Sequence, residues 1–310
     1  MIKVKTDDKT KNEIRKYGFI ISMMIYPATL FVLFYLGVNL NSIKLAFQKV
    51  DILGNATFNG FKNFEEFFSL ITTKESMVGL SIYNSLRMFI INLIICMPLY
   101  LIFSFYIYKK FSLSKVYRLI IMVPAIVSGF IICLLFKKFV ELALPSVMAS
   151  VGYEDFPQLL SDPKYTFQTS LFYMIWISFS TSLLVYPNAM NAIDDSIIEA
   201  SKIDGVNLFQ EFWYVVIPLI YPTISTFLIT GLAGIFLNQG PLLAFYMYEA
   251  PPETFNFAYY MLVEVMKNPN TSQLKYPLLS AMGIIITIIS AFFTFLLKSF
   301  LDKRDPTRLI

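Results

Sequence analysis

The chain has 310 residues, 56% of them hydrophobic, and a mean hydropathy of +0.63. This composition excludes an ordinary soluble domain and is typical of a polytopic membrane protein. The net charge of +4 does not indicate a nucleic-acid partner, because the basic residues are distributed as membrane topology predicts. The chain has no histidine, which excludes histidine-based triads, zinc sites and imidazole proton relays.

Glycine and cysteine usage limits the chemistry further. None of the 12 glycines is followed by lysine, so the sequence has no P-loop, and any ATP must be hydrolysed by another polypeptide. Cys96 and Cys133 lie far apart in separate apolar runs, which predicts buried thiols rather than a disulfide or a metal site. We therefore expect neither a metal nor a cofactor in this chain.

Six apolar runs follow a basic amino-terminal segment. Residues 1–17 carry six Lys or Arg, and the next 21 residues are uncharged, a run longer than the apolar core of a signal peptide. We interpret residues 1–17 as cytoplasmic and the run as a retained membrane helix. The sequence predicts an all-α membrane domain over residues 18–300 and a cytoplasmic tail over 301–310. The predicted spans are 18–38, 88–108, 119–136, 167–187, 217–248 and 276–297.

Prolines predict that two of these spans are irregular. Pro124 is expected to kink the third span. The fifth run has 32 residues without a charge, which is more than the ~20 needed to cross a bilayer. Pro218, Pro222 and the Gln239-Gly240-Pro241 step predict that this helix tilts and then breaks near its outer end.

The distribution of Lys and Arg predicts the orientation of the chain. With both ends inside, the inside segments hold 15 of the 25 Lys and Arg, and the other 10 are spread over longer outside loops. Cytoplasmic loops are enriched in basic residues, so this density favours N-in, C-in. It also predicts that the loop 189–217, between the fourth and fifth spans, faces the cytoplasm.

Residues 194–218, which we call the elbow, extend from this loop to the second residue of the fifth span, and their sequence predicts two short helices joined by a turn. The first is predicted from Asp194 to Ile203, because apolar residues recur at helical spacing, namely Ile193, Ile197, Ala200 and Ile203. Asp204-Gly205 is expected to end it, since glycine tolerates the left-handed backbone that closes a helix.

The second helix of the elbow has its own start signal. Asn207 is a favourable N-cap, and Gln210 follows three residues later as in a capping box. An apolar stripe is predicted to continue the helix, formed by Leu208, Phe209, Phe212, Trp213 and Val216. Pro218 then changes the direction of the chain as it returns to the membrane.

The elbow resembles the "EAA" motif found in permease subunits of ATP-binding-cassette importers. The matching residues are Glu199, Ala200, Ser201, Asp204, Gly205, Phe212 and Pro218. The sequence departs from the family pattern at Val206 and Tyr214, and neither change removes the turn or the apolar stripe. In that family, the motif forms a cytoplasmic coupling helix that docks on the ATPase subunit.

Other segments are similar to the carbohydrate-uptake branch of the same family. They are Asn59 to Phe64, Asn84-Ser85-Leu86, Leu160 to Pro163 and Trp176. The resemblance implies a type I importer permease fold in a bacterial cell membrane, surrounded by lipid, with no catalytic site of its own. It also implies four kinds of partner: a second permease subunit, two ATPase subunits that bind ATP and Mg, an extracytoplasmic solute-binding protein, and a sugar or oligosaccharide cargo.

The predicted spans contain polar but uncharged side chains. Charge inside a span normally marks an ion or proton path, so its absence here argues against an ion-coupled carrier. Amide, hydroxyl and aromatic groups suit a neutral polar ligand such as a sugar. The neutral set is Asn92, Tyr173, Trp176, Ser178, Ser180, Thr181, Ser182, Thr230, Asn238 and Gln239. We predict that Asn238, Gln239, Trp176 and Tyr173 contribute to the substrate path.

Three alternatives stay open at this point. A secondary carrier or channel would have to work without intramembrane charge. A membrane-embedded transferase would need clustered acids, of which the sequence offers only Asp194, Asp195, Glu199 and Asp204. The importer could instead carry a phosphorylated polyol, an acidic polysaccharide fragment or a peptide, attracted by the lysines predicted to lie outside, Lys44, Lys49, Lys137 and Lys138.

Overall fold

The structure is a computed structural model that describes residues 3–73, 76–153, 155–267 and 269–309. It is predominantly helical and divides into two compact units. The first contains residues 1–67 and 273–284, and the second contains residues 68–272 and 285–310. Each unit is described by itself below.

A long helical stretch dominates the first unit, and it is largely exposed from Lys11 onward. It consists of α1 (Lys3–Leu30), a π-helical segment (Phe31–Leu36) and α2 (Gly37–Ala46). Its span Lys11–Ala46 has a mean hydropathy of 2.1, and none of its apolar window is buried. The helix therefore extends beyond the predicted span 18–38 at both ends. An apolar run marks only the part that contacts hydrocarbon, whereas a helix continues until its backbone pattern breaks.

A small antiparallel hairpin follows in the first unit, formed by β1 (Gln48–Val50) and β2 (Ala56–Phe58). The buried Asn63, at the start of α3 (Lys62–Thr72), donates hydrogen bonds from Nδ2 to the carbonyls of Ala46 (2.7 Å) and Gln48 (2.8 Å). The prediction of an all-α fold is therefore wrong for this segment. Three-residue strands are too short to give a period-two signal in the sequence.

The second unit is built from helices of very different length. In chain order they are α4 (Met77–Ile91), α5 (Met97–Tyr108), α6 (Ser114–Ile126), α7 (Gly129–Lys138), α8 (Leu144–Ser150), α9 (Pro163–Asn191), α10 (Asp195–Ile203), α11 (Leu208–Gln210), α12 (Ile217–Leu219), α13 (Tyr221–Ala233), α14 (Leu242–Tyr246) and α15 (Phe257–Met266). Further π-helical segments are Asn92–Cys96, Phe139–Ala143 and Glu211–Val216, and the 3₁₀ turns are Pro252–Thr254 and Pro306–Leu309. The last long helix, α16 (Pro269–Lys303), has residues in both units.

Four helices of the described chain are long and apolar enough to cross a membrane. They are Lys11–Ala46, Met77–Tyr108, Pro163–Asn191 and Gln273–Lys303. Two bent helix pairs also qualify if each pair is one span, Ser114–Pro124 with Gly129–Ser150 and Leu208–Leu219 with Tyr221–Ala233. The described chain therefore has four to six candidate spans, and this confirms a polytopic helical membrane protein.

The third predicted span is interrupted, as Pro124 suggests, but three residues further on. Pro124 lies inside α6, and the chain becomes extended at Val127 and Ser128 before α7 begins. The two helices are bent by 97°. Proline has no amide hydrogen, so Pro124 cannot donate to the Ile120 carbonyl one turn earlier, and the helix ends two residues beyond it.

The fifth predicted span breaks earlier than expected. A 67° bend separates α12 from α13 at Ile220, and α13 ends at Ala233 rather than at the Gln239-Gly240-Pro241 step. Beyond it, Asn238 Oδ1 accepts a hydrogen bond from the amide of Gly240 (2.8 Å), which has φ +62°. This turn leads into the short α14. The break itself is confirmed, and it leaves a non-helical segment in the middle of an apolar run.

Candidate functional site

The first helix of the elbow is capped at both ends, and the turn at Gly205 that ends it is where the sequence predicts it. The Asp194 side chain accepts a hydrogen bond from the amide of Ser196 (2.9 Å) at the start of α10. Hydrogen bonds from the Ser196 hydroxyl and, secondly, from the Ser196 amide hold the pKa of the Asp194 carboxyl below its ordinary value. At the other end, Gly205 has φ +77°, and its amide donates to the Lys202 carbonyl (3.1 Å). The turn between the two elbow helices is therefore confirmed.

The second helix of the elbow begins with a complete capping box. The Asn207 side chain accepts from the Gln210 amide, and the Gln210 side chain accepts from the Asn207 amide, each at 2.9 Å. Only three α-helical residues follow before the backbone widens into the π-helical segment Glu211–Val216. The predicted start is confirmed, and the arm that leads back to the apolar helices is continuous with it.

The face of α10 that packs inward differs from the apolar face in the sequence. Ile198 and Ser201 are buried, and the Ser201 hydroxyl donates to the Ile198 carbonyl (2.8 Å). The predicted apolar positions Ile197, Ala200 and Ile203 are exposed, with Ile203 at 87%. Helical spacing places these residues on one face, but it does not tell whether that face meets the same chain or another molecule.

The π-helical segment Glu211–Val216, which we call the return arm of the elbow, is anchored in the apolar core of the second unit. Phe212 and Val216 are buried in a cluster with Tyr186 and Met190 of α9. The ring of Phe212 lies 5.0 Å from that of Phe105 in α5, centroid to centroid. Among the motif residues, Ser201 and Phe212 are buried, Pro218 is partly buried, and the other four, Glu199, Ala200, Asp204 and Gly205, are exposed.

The elbow leaves several large apolar side chains in contact with solvent. Phe209 and Tyr214 are 71% and 76% exposed. The remaining exposed members of this group are Ile197, Ile203, Leu208 and Trp213. Contiguous exposure of large apolar groups is characteristic of a surface that another protein covers.

Sequence reasoning missed one charged pair in the elbow. Glu211 is buried at the start of the π-helical segment, and its Oε1 forms an ion pair with Lys109 Nζ, directly after α5. A signal was available, because Glu211 interrupts the apolar stripe between Phe209 and Phe212. A carboxylate on the buried side of a helix needs a partner of opposite charge.

A cavity of about 450 Å³ lies among α4, α5, α9 and α13. Its polar lining includes Asn92, Ser178, Thr181, Ser182, Thr230 and Asn238, and its lining residues include no Lys, Arg, Asp or Glu. The apolar lining includes Met97 and Tyr100 of α5. A pocket of this size, with an apolar wall and a few neutral polar groups, is suited to a small uncharged polar ligand.

The residues predicted for the substrate path are separated by the fold. Asn238 lines the 450 Å³ cavity, whereas its neighbour Gln239 is not among the lining residues. Tyr173 is buried against Phe136 and Phe245. Trp176 lines a different, apolar groove of about 310 Å³, with Ile132, Leu135, Phe136, Phe139 and Phe172. Of the four, the structure therefore brings only Asn238 to this cavity.

Next to the cavity, the buried Asn84 ties α4 to the loop before α15. Its Nδ2 donates to the carbonyls of Glu253 and Phe255, both at 2.9 Å. The neighbouring Ser85 hydroxyl, which lines the cavity, accepts from the Phe257 amide (2.9 Å). These bonds cross about 170 positions of sequence, so they hold the loop against the cavity wall.

We expect Asn84→Ala to loosen this loop. The change leaves two carbonyls without their donor, at a cost of about 1–3 kcal/mol. Hydrogen exchange at the amides of Phe255 and Phe257, both bonded in the wild type, should accelerate roughly tenfold by local opening. The matched control is Asn191→Ala at an exposed position. Equal exchange in Asn84→Ala and wild type would show that these bonds do not hold the loop.

The lysines considered as anion attractors are not all free. Lys137 donates from Nζ to the Phe245 carbonyl, near the end of α14.

The acidic residues of the elbow form no metal site, since no group of three His, Cys, Asp or Glu in the described chain is placed to hold an ion. The transferase alternative therefore gains no support from these residues.

Comparison with known proteins places this architecture in a class. Residues 68–305 match the family described as binding-protein-dependent transport system inner membrane component. The chain belongs to this family, and it is a multi-pass membrane protein. The match includes the elbow and every helix that lines the cavity.

Three curated relatives carry sugar-transport names. The chain is 29% identical over 110 residues to the multiple sugar-binding transport system permease protein MsmF of Streptococcus mutans, covering 35% of this chain and 38% of the relative. It is 28% identical over 127 residues to the maltose/maltodextrin permease protein MalF of Shigella flexneri, covering 40% and 25%. It is 27% identical over 227 residues to the polygalacturonan/rhamnogalacturonan permease protein YteP of Bacillus subtilis, covering 67% and 65%. The chain thus matches less than two thirds of each relative's length.

Solved structures support the fold over nearly the whole chain. A chain from a bacterial ABC transporter involved in the import of the acidic polysaccharide alginate superposes with a TM-score of 0.74, at 19% identity, over 95% of this chain and 99% of that one. A second structure, of an alginate ABC transporter in complex with an alginate pentasaccharide-bound periplasmic protein, gives a TM-score of 0.71 at 18% identity, covering 92% and 94%. The fold is therefore that of an importer permease.

Proposed function

We propose that this chain is one of two permease subunits of an ATP-driven importer that carries a sugar or oligosaccharide across the bacterial inner membrane. Membership of the transport-system family supports the importer class. The observation that carries the proposal is the elbow, a capped helix–turn–helix with exposed apolar side chains outside and a buried return arm. A partner that docks on this surface can move the helices behind it.

The proposed topology has six spans with both ends in the cytoplasm. It counts each bent helix pair as one span and adds the four long helices. The distribution of basic residues supports this orientation, because 15 of the 25 Lys and Arg then lie inside. In this arrangement the elbow faces the cytoplasm, where ATPase subunits can reach it.

In the proposed importer, this chain catalyses no chemical reaction. ATP and Mg are held by two ATPase subunits, and the exposed face of the elbow, with Ile203 and Phe209, is their docking surface. A solute-binding protein outside the membrane delivers the cargo to this subunit and the second permease. Closure of the ATPase pair displaces the elbow, which changes the side from which the cavity is open.

We propose a neutral saccharide as cargo. The lining residues of the 450 Å³ cavity carry no charge, and they include hydroxyl and amide groups together with aromatic and methionine side chains. Sugars are bound by hydrogen bonds to their hydroxyls and by apolar contact with their ring faces. An acidic polysaccharide fragment is the second candidate, because the name of YteP refers to polygalacturonan.

Transport assays separate these possibilities. Membrane vesicles that contain this chain with its partner subunits and binding protein are given neutral or uronic-acid oligosaccharides, with and without ATP. We expect ATP-dependent uptake of a neutral oligosaccharide and none without the ATPase subunits. If only uronic-acid oligosaccharides are taken up, the cargo is acidic and the proposal of a neutral saccharide is wrong. Uptake that is indifferent to ATP would overturn the importer function in favour of a secondary carrier or channel.

A further inference from the structure

We infer that the Lys109–Glu211 ion pair is a positioning contact that carries displacement of the elbow to the wall of the cavity through α5. This inference rests on the proposed function, in that the elbow is the element that ATPase subunits move. Neither residue belongs to the matched motif or lines the cavity. The ion pair instead connects the elbow, which carries the motif, to α5, which lines the cavity.

The pair is shielded from water on both sides. The Glu211 side chain is 3% exposed and the Lys109 side chain 14%. Lys109 Nζ also lies 5.6 Å from the centre of the Phe105 ring and 5.5 Å from that of Tyr108. In such an apolar setting the attraction is only weakly screened, and separating the charges would leave a carboxylate buried without a partner. The pair therefore resists separation when either side is displaced.

The two members belong to elements that differ in function. Glu211 lies on the return arm of the elbow, next to Phe212 of the motif. Lys109 follows the last residue of α5, whose earlier residues Met97 and Tyr100 line the cavity. Because a helix is stiff along its axis, displacement of Lys109 also displaces the residues of α5 that line the cavity.

A second contact runs parallel to the ion pair. The rings of Phe105 and Phe212 meet at 5.0 Å one turn away. Apolar contacts are non-directional and tolerate sliding, whereas a buried ion pair favours one register. The ring contact therefore maintains packing, and the ion pair sets the register of the elbow on α5.

The test measures the response of the cavity to ATP independently of any sugar. Thr181→Cys places an accessible thiol among the lining residues of the cavity, and the native Cys96 and Cys133 are buried. The rate of labelling by a membrane-impermeant maleimide is measured in the assembled importer with and without ATP. The variants are Glu211→Gln, Lys109→Gln and the exchanged pair, Lys109→Glu with Glu211→Lys. The matched control is Lys115→Gln, an exposed lysine in the first turn of α6.

We expect ATP to change the labelling rate in the unsubstituted background and in Lys115→Gln. In Glu211→Gln and Lys109→Gln this change should shrink about tenfold, a usual size for an allosteric coupling, while ATP hydrolysis continues. The exchanged pair should recover part of the response. A merely structural role would alter the amount of assembled complex but not the response per complex.

The labelling results distinguish failure of this inference from failure of the proposed function. Full ATP-dependent labelling in Glu211→Gln would overturn the inference and leave the proposed function standing. The absence of any ATP effect in the unsubstituted background would overturn the proposed function itself. If the single variants do not assemble, Lys109→Met combined with Glu211→Leu removes both charges together, which proteins often tolerate. A normal response in that double variant would also overturn the inference.

Discussion

Gly205→Pro is expected to abolish productive coupling in the elbow. Proline holds φ near −65°, whereas Gly205 has φ +77°, and proline lacks the amide hydrogen that Gly205 donates to the Lys202 carbonyl. A conflict of this kind costs about 3 kcal/mol or more, which corresponds to a loss of roughly 100-fold in the population of the native turn. ATP-driven uptake, normalised to the amount of chain in the membrane, measures the effect.

Two further variants separate the turn from general damage. Gly152→Pro is matched in backbone, because Gly152 has φ +97° and donates its amide to the Ala149 carbonyl at 3.0 Å, but it lies outside the elbow. It should preserve uptake. Gly205→Ala meets no neighbouring atom within 4 Å and has only the left-handed backbone to oppose it, at about 1–2 kcal/mol. Uptake should therefore decrease in the order wild type, Gly205→Ala, Gly205→Pro. Normal uptake by Gly205→Pro would contradict the role of the turn.

Gly231→Trp is expected to block cargo passage while leaving the ATPase cycle running. Gly231 lines the cavity in the last turn of α13, and a Cβ there would meet only the Phe89 ring, at 3.6 Å, an ordinary contact. The helix does not lose stability, since glycine is itself among the weakest helix formers. An indole at this position would project into the cavity of about 450 Å³ and narrow the passage for an oligosaccharide. Uptake should decrease roughly tenfold or more, and ATP hydrolysis should continue.

The same substitution at a helical glycine away from the cavity is the control. Gly18 lies in α1, and no atom is within 4 Å of its added Cβ. Gly18→Trp should therefore leave both activities unchanged. If Gly231→Trp transports normally, the cavity is not the cargo path, and the neutral lining residues lose their proposed role. If both variants lose uptake, the effect of Gly231→Trp is not specific to the cavity.

Much of this protein follows from short stretches of sequence. The long apolar helices, the Gly205 turn and the Asn207–Gln210 capping box all appear where local rules predict them. Each depends on interactions within about four residues or on the apolar length that a membrane requires. Such interactions operate in the same way whatever the rest of the chain does. The hairpin at residues 48–58 escapes this reasoning because its strands are too short for a pattern.

The residues that form the functional surfaces could be identified only from the tertiary structure. Periodicity groups Ile197 with Ile203, yet Ile198 and Ser201 are the residues that pack inward. Composition alone treats Trp176 and Asn238 as equivalent candidates, yet only Asn238 lines the cavity. Glu211 finds its partner Lys109 about a hundred positions away. In a membrane protein, side chains that face lipid, a partner subunit or the core are equally apolar, so the choice among them depends on which distant helices meet.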